Sequence, residues 1–261
     1  MAIIYYCGSV AWRSRQGRMR IMGSGGNTVK CVMAALEREP RIGLHRRPIA
    51  VTWREGVLTL SGEVDDVAAK KLALELAGAV QGVSGIVDRL RVVPARAMED
   101  GAVRDHVCDL LCQEPAFGDY VILAADWGEL KMVRAGAGER TGVIEVEVND
   151  GVVTLDGRAG SLTHKRLAGV LAWWVPGSRD VVNGMEVSPP MDDNDDEVVD
   201  AVRIVLEKDP FVNAARIRAS CRDYVVTLDG SVSGADEREM AELDAWYVFR
   251  VDRVVNNLVV L

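Results

Sequence analysis

The chain has 261 residues, a formal net charge of −8, 49% hydrophobic and 27% charged residues, which is soluble globular composition in one large domain or two to three small ones. The charge is polarised: residues 191–261 hold 16 Asp+Glu against 8 Lys+Arg, whereas residues 1–26 carry Arg13, Arg15, Arg18 and Arg20 and no acid. An acidic third repels phosphates and argues against nucleic acid as a partner, and no run is long enough to span a bilayer.

Residues 1–26 read as a basic N-terminal arm. Their start, MAIIYYCG, lacks the basic and extended apolar regions of a signal peptide. The five cysteines, Cys7, Cys31, Cys108, Cys112 and Cys221, form no disulfide framework. Free thiols favour a reducing compartment. The expected localisation is therefore cytoplasmic, with a periplasmic or peripheral membrane location as the alternative.

From residue 27 the chain repeats itself, the signature of an array. WREGVLTLSGEV (53–64), VNDGVVTLDGRA (148–159) and CRDYVVTLDGSV (221–232) share a Thr-Leu-x-Gly ending at Gly62, Gly157 and Gly230. Each glycine precedes Asp88, Asn183 or Asn256 by 26 residues, inside IVDRLRV, VVNGMEV and VVNNLVV. Upstream stands an acid–proline pair, Glu39-Pro40, Glu114-Pro115 or Asp209-Pro210. The copies span 27–94, 95–190 and 191–261. The middle one carries an insertion near 120–142, around Trp127 to Gly142, that reads as a long loop or an extra hairpin.

Each copy predicts the same elements. A first helix carries apolar residues at helical spacing: Val32, Ala35 and Leu36, then Val103, Val107, Leu110 and Leu111, then Val198, Val199, Val202, Val205 and Leu206. The proline ends it, because the residue before proline avoids helical geometry. A hairpin follows, turning at Arg54-Glu55-Gly56 and at Asn149-Asp150-Gly151. Arg222-Asp223-Tyr224 lacks the glycine, so the third turn should differ. A second helix, about 65–79 in the first copy, presents Leu72, Ala73, Leu76, Ala77 and Val80 inward. A third strand, about 87–93, returns parallel to the second. The fold class is α+β: three tandem αββαβ domains, each with two helices packed on a three-stranded mixed sheet. The open sheet faces look like the natural contact between copies.

This order of acid–Pro, dGxVtLxGxV, Ala-rich helix and G-V-x-x-V-x-N resembles the BON domain, the OsmY-like family. Gly82-Val83-Ser84-Gly85-Ile86-Val87-Asp88 carries the late motif in the first copy, Gly177 to Asn183 in the second and Arg250 to Asn256 in the third. The resemblance covers nearly all of the chain from residue 27. It implies a non-enzymatic binding protein of bacterial type, tied to phospholipid or membrane surfaces in osmotic or envelope stress. The alternative is a cytoplasmic protein-interaction scaffold or small-ion-sensing module. Three departures stand out: Arg250 for the motif glycine, Asp88 for the motif asparagine, and the insertion.

Arg38, Arg41, Arg46, Arg47 and Arg54, with His45, form the best lipid or anion site, since guanidinium forks suit phosphate. A solvated surface, or pairing with the acidic third copy, is an equal reading. Gly62, Gly157 and Gly230 could cradle a phosphate at a helix start, but a structural demand for backbone freedom is favoured. Trp173, Trp174 and Trp246, with Tyr247, could anchor at a membrane; packing between copies or chains is favoured. His106, Cys108 and Cys112 offer too few ligands for zinc. Asp192–Asp196 lacks the glycine and distal glutamate of a calcium loop. His45, His106 and His164 sit in unrelated settings, and no catalytic set, metal site or cofactor is expected. The partners implied are an anionic phospholipid surface or a protein.

Overall fold

The computed structural model describes residues 3–6, 25–126, 128–136 and 142–261. Cys7, the four arginines of the arm, and Trp127 lie outside the described residues. The chain divides into two compact units, residues 1–93 and 94–261.

The first unit contains β1 (Ile3–Tyr6), α1 (Gly25–Glu37), β2 (Ala50–Arg54), β3 (Val57–Val64), α2 (Val67–Gly78) and β4 (Gly85–Val92). β2 runs antiparallel to β3, and β3 runs parallel to β4, as a βαβ crossover through α2 requires. β1 adds antiparallel to the outer edge of β4, with Ile4 opposite Val87. Alternation along β3 buries Leu58, Leu60 and Val64 against Val32 and Leu36 of α1 and Leu72, Ala73 and Ala77 of α2. Asp66 caps α2 by accepting from the Ala69 N–H at 2.7 Å.

The second unit continues with α3 (Asp100–Gln113), β5 (Val121–Asp126), β6 (Glu129–Arg134), β7 (Val143–Asn149), β8 (Val152–Ala159), α4 (Leu162–Trp173), β9 (Asp180–Asn183) and β10 (Glu186–Val187). The third copy follows as α5 (Asp195–Lys208), β11 (Ile217–Arg222), β12 (Val225–Val232), α6 (Ala235–Tyr247) and β13 (Arg253–Val260). The insertion is the β5–β6 hairpin. It extends the second sheet past β7, giving the order β10-β8-β7-β5-β6 with β9 also on β8. Arg134 fastens the hairpin to the end of α3, donating to the carbonyls of Cys112 (3.0 Å), Tyr120 (3.2 Å) and Phe117.

The acid–proline pair has one local job in all three copies. Glu39, Glu114 and Asp209 accept the backbone N–H two residues on, from Arg41 (3.3 Å), Ala116 (2.9 Å) and Phe211 (2.8 Å). That carboxylate replaces helical bonding where the proline stops the chain.

The expectation of a different third turn is overturned. Glu55-Gly56, Asp150-Gly151 and Asp223-Tyr224 all have positive φ at both positions, the type I′ geometry of two-residue hairpins. Tyr224 holds φ +61° because its N–H and that of Asp223 are both gripped by the Asp195 carboxylate, at 2.9 and 2.8 Å. Asp100 grips Asp150 and Gly151 in the same way in the second copy, at 2.9 and 2.8 Å.

The second and third copies share one continuous core. They meet through α4 against α5 and α6. The expected contact through the open sheet faces is not the one used between the second and third copies: helix faces carry it, and the outer sheet face of the third copy keeps Val255 and Val259 exposed.

Candidate functional site

The three repeated glycines answer to backbone geometry. Gly62, Gly157 and Gly230 have φ of +142°, +110° and +135°. A Cβ at these positions would lie 2.8 Å from the Pro48 carbonyl oxygen, 2.3 Å from that of Val143 and 2.1 Å from that of Arg216. The partner strand passes too close for any side chain, which accounts for glycine at this step of every copy.

The aspartate or asparagine 26 residues on is equally structural. Asn183 and Asn256 donate to the Lys165 and Arg238 carbonyls of the second helix, at 2.7 and 3.1 Å. In the first copy the matching position is Asp88, and the residue facing it is Lys70. The Lys70 ammonium lies 2.8 Å from Asp88 Oδ2 and donates to the Leu90 carbonyl at 2.9 Å. A buried ion pair thus replaces an amide-to-carbonyl bond at the same seam.

The arginines of the first copy fall into two groups. Arg41, Arg46 and Arg47 gather over the β3–α2 junction. Arg46 and Arg47 hold the two oxygens of Asp65 at 2.8 and 2.7 Å, Arg47 also lies 3.5 Å from Glu63, and Arg41 lies 3.9 Å from Asp66. These partners are acids of the same copy. Arg38 and His45 are exposed. Arg54 stands at the other end of β2, about 13 Å from its start at strand rise, and is not part of that group.

Arg54 belongs with two arginines the sequence reading passed over. Burial alternates along β3 and β4, so Thr59 and Ser61, with Val87, Arg89 and Arg91, lie on the face away from the helices. β2 register places Thr52 opposite Thr59 and Arg54 opposite Val57 on that face. Its acid, Glu63, is drawn to Arg47. Arg54 and Arg89 are exposed and have no ion-pair partner among the described residues. Charge summed by copy would have flagged this surface. Residues 27–94 hold 10 Lys+Arg and 8 Asp+Glu, residues 95–190 hold 9 and 15, and residues 191–261 hold 8 and 16. The matching face of the second copy presents Glu145, Glu147 and Asp156. That of the third is mixed, with Arg218, Arg222 and Arg253 around exposed Val255 and Val259.

The aromatic pairs lie at the junction of the second and third copies. Trp173 stacks on Tyr247 with centroids 5.8 Å apart, Trp174 Nε1 donates to Asp244 at 2.9 Å, and Trp246 is buried. Arg166, fully buried on α4, crosses the junction to Asp193, to the Phe249 carbonyl (3.2 Å) and to the Glu197 carbonyl (3.5 Å). Burial, followed by the neighbouring Arg166, lowers the pKa of Lys165, whose ammonium sits 5.5 Å from the Phe249 ring centroid. A groove of about 530 Å³ opens beside this seam, lined by Ala116, Thr163, His164, Leu167, Ile204 and Lys208 among others.

Nucleophilic chemistry finds little support. Burial pushes the Cys108 and Cys221 thiols up to about 12, so both stay protonated and inert at neutral pH. His106 is exposed and bonded to the Ala102 carbonyl at 2.8 Å. Among the described residues no group of three or more His, Cys, Asp or Glu could hold a metal ion. No helix among them is long and apolar enough to cross a membrane.

Comparison with known proteins bears on the whole chain. The family model described as "BON domain" matches residues 28–94, 133–189 and 194–261. The second match begins inside the insertion. No curated protein matches. Two solved structures of CdsD, a structural protein of the type III secretion system of Chlamydia trachomatis, are similar at low level. One, its C-terminal domain, is 16% identical, covers 89% of this chain and 96% of its own, and has a TM-score of 0.24. The other is 17% identical, covers 90% and 92%, and has a TM-score of 0.23. Scores that low do not establish a shared arrangement.

Proposed function

The chain belongs to the BON domain family, with three copies in tandem, and from that premise we propose that it is a non-catalytic binding protein whose first copy docks on anionic phospholipid. The observation that supports this most is the outer sheet face of the first copy. Arg54, Arg89 and Arg91 stand there beside the hydroxyls of Thr52, Thr59 and Ser61. A guanidinium near an anionic lipid surface contributes about 1 kcal/mol, so the exposed Arg54 and Arg89 give a salt-sensitive, reversible attachment. The first copy is also the one of net positive charge, 10 Lys+Arg against 8 Asp+Glu, which favours an anionic surface there over the acidic copies. The protein is then peripheral to a membrane, in the osmotic or envelope-stress setting that the family suggests.

Co-sedimentation with liposomes tests it. The full chain should bind phosphatidylserine-containing vesicles at low salt, release as salt rises, and ignore neutral vesicles. Arg54→Glu with Arg89→Glu should abolish binding, while Arg218→Glu with Arg222→Glu should leave most of it. Equal binding by the first double variant would sink the assignment to this face.

A protein-interaction scaffold is the second reading. β6 ends the six-stranded sheet with an edge that pairs no other strand among the described residues, and Leu130, Met132 and Val133 on it are exposed. An apolar edge strand invites strand addition by a partner. Absence of liposome binding, with capture of an extended peptide at β6, would favour it.

A further inference from the structure

The second helix of each copy carries a position 14 residues after the repeat glycine. It is Leu76 in the first copy, Leu171 in the second and Asp244 in the third. Asp244 is nevertheless as buried as a core leucine, at 2% exposure. One oxygen, Oδ1, accepts from Trp174 Nε1 of the second copy at 2.9 Å. The other, Oδ2, is buried and meets no hydrogen-bond donor.

Among the described residues the surroundings supply no cation. From the end of α5 comes Asp209, itself buried at 7%, whose Oδ1 accepts the Phe211 N–H at 2.8 Å. Lys208, next to it in sequence, is committed to Glu114 at 2.7 Å. From α4 comes the neutral indole of Trp174. From β12 and β13 come Val226, Leu228, Val254 and Leu258, all aliphatic, and the neutral amide of Asn256, which is occupied by Arg238 and Glu242. On α6 the nearest carboxylate, Glu242, takes that amide at 2.9 Å.

Two buried carboxylates with no counter-charge cannot both be ionised at low cost. A carboxylic acid at Asp244 resolves the orphan oxygen: it becomes a donor, and Asp209 is the acceptor beside it. We propose that a proton held on Asp244 and donated toward Asp209 keeps α6 buried against Trp174 of α4 and so locks the third copy onto the second, with the junction tightening on acidification and loosening as pH rises. Burial, followed by the repulsion of Asp209 and against the Trp174 hydrogen bond, holds the Asp244 carboxyl at about 8. The sign follows from linkage. The opened junction releases the proton at the ordinary carboxylate value near 4, and the closed one holds it to about 8. The contribution is complete in acid, falls progressively between those values, and is spent above the upper one.

Hydrogen–deuterium exchange of the full chain across pH 5–9, corrected for intrinsic exchange, tests the lock. Protection in the C-terminal turn of α4 and in α6 should fall on the order of tenfold per pH unit up to about pH 8, then level. Asp244→Asn keeps an acceptor for Trp174 and a permanent donor toward Asp209, so its protection there should stay flat with pH. Asp244→Leu, the residue of the other two copies, should also be flat. The proposal is overturned by pH-independent protection in the wild-type chain, a result that needs no variant to fold. It is equally overturned if either variant tracks the wild type. Neither result touches the lipid reading of the first copy.

Discussion

The guanidinium of Arg250 lies 4.4 Å from the centroid of the Tyr224 ring, and both residues hold positive φ, +71° and +61°. The matching positions are Gly56 and Gly82 in the first copy and Gly151 and Gly177 in the second. The third copy has replaced both glycines and joined the new side chains across the end of its sheet. Left-handed backbone costs a bulky residue about 1 kcal/mol or more. A cation on an aromatic face returns about 0.5–2 kcal/mol. Tyr224 also donates to the Asp193 carbonyl at 3.2 Å, and Arg250 lies 3.7 Å from the Asp193 carboxylate.

The pair should therefore be coupled. Arg250→Gly alone relieves its own strain but strands Tyr224, and Tyr224→Gly does the converse. The double glycine variant restores the pattern of the other copies. A double-mutant cycle in urea should return a coupling of about 1 kcal/mol. Strict additivity would show that the stacking contributes nothing.

Asp195 makes the third turn pH-sensitive. Its carboxylate accepts from Tyr224, Asp223 and Cys221, and the Tyr224 N–H above all holds its pKa below the usual carboxylate range. A depressed folded value means stability that is present above the ordinary carboxylate pKa and lost as pH falls through the folded value. Asp195→Asn should flatten the acid limb of the stability profile measured by thermal unfolding. An unchanged acid limb would remove Asp195 from that role.

Restoring the family asparagine in the first copy should do harm. Asp88→Asn takes the Asp88 carboxylate away from the Lys70 ammonium, whose side chain is 7% exposed. Stranding one member of a buried pair costs about 3–5 kcal/mol. Lys70→Met together with Asp88→Asn removes the stranded charge and leaves the new amide free to donate to the residue 70 carbonyl, as Asn183 and Asn256 do to theirs, and should recover most of that loss. Chemical denaturation of the four variants checks both steps.

Much of this fold is legible in the sequence because each copy obeys local rules. The Asp150-Gly151 turn, the proline stops and the alanines of α2 read directly as hairpin, helix end and close packing. The family resemblance follows from the same residues. What stays hidden depends on residues far apart. Tyr224 looks wrong for a type I′ turn until Asp195, 29 residues upstream, and Arg250 are seen around it. The docking of the second copy on the third rests on Arg166, which a sequence reading takes for a surface charge. The arginine-bearing outer face of the first copy is hidden because Arg89 and Arg91 sit inside a strand motif that reads as structural. β1 is four residues long and carries no turn signal to announce it.

Arg166 supplies the last test. Its guanidinium has no exposed surface and reaches three groups of the third copy from α4. Arg166→Met keeps the stem volume and removes every donor, leaving Asp193 and the Phe249 and Glu197 carbonyls without their partner at the seam. The cost should be about 3–5 kcal/mol in the second unit. Because the first unit has its own core, its unfolding should be unmoved. Calorimetry of the full chain separates the two effects. A shift confined to residues 94–261 would show that Arg166 holds the second and third copies as one cooperative body. A loss under 1 kcal/mol would mean that the apolar contacts of α4, α5 and α6 suffice without it.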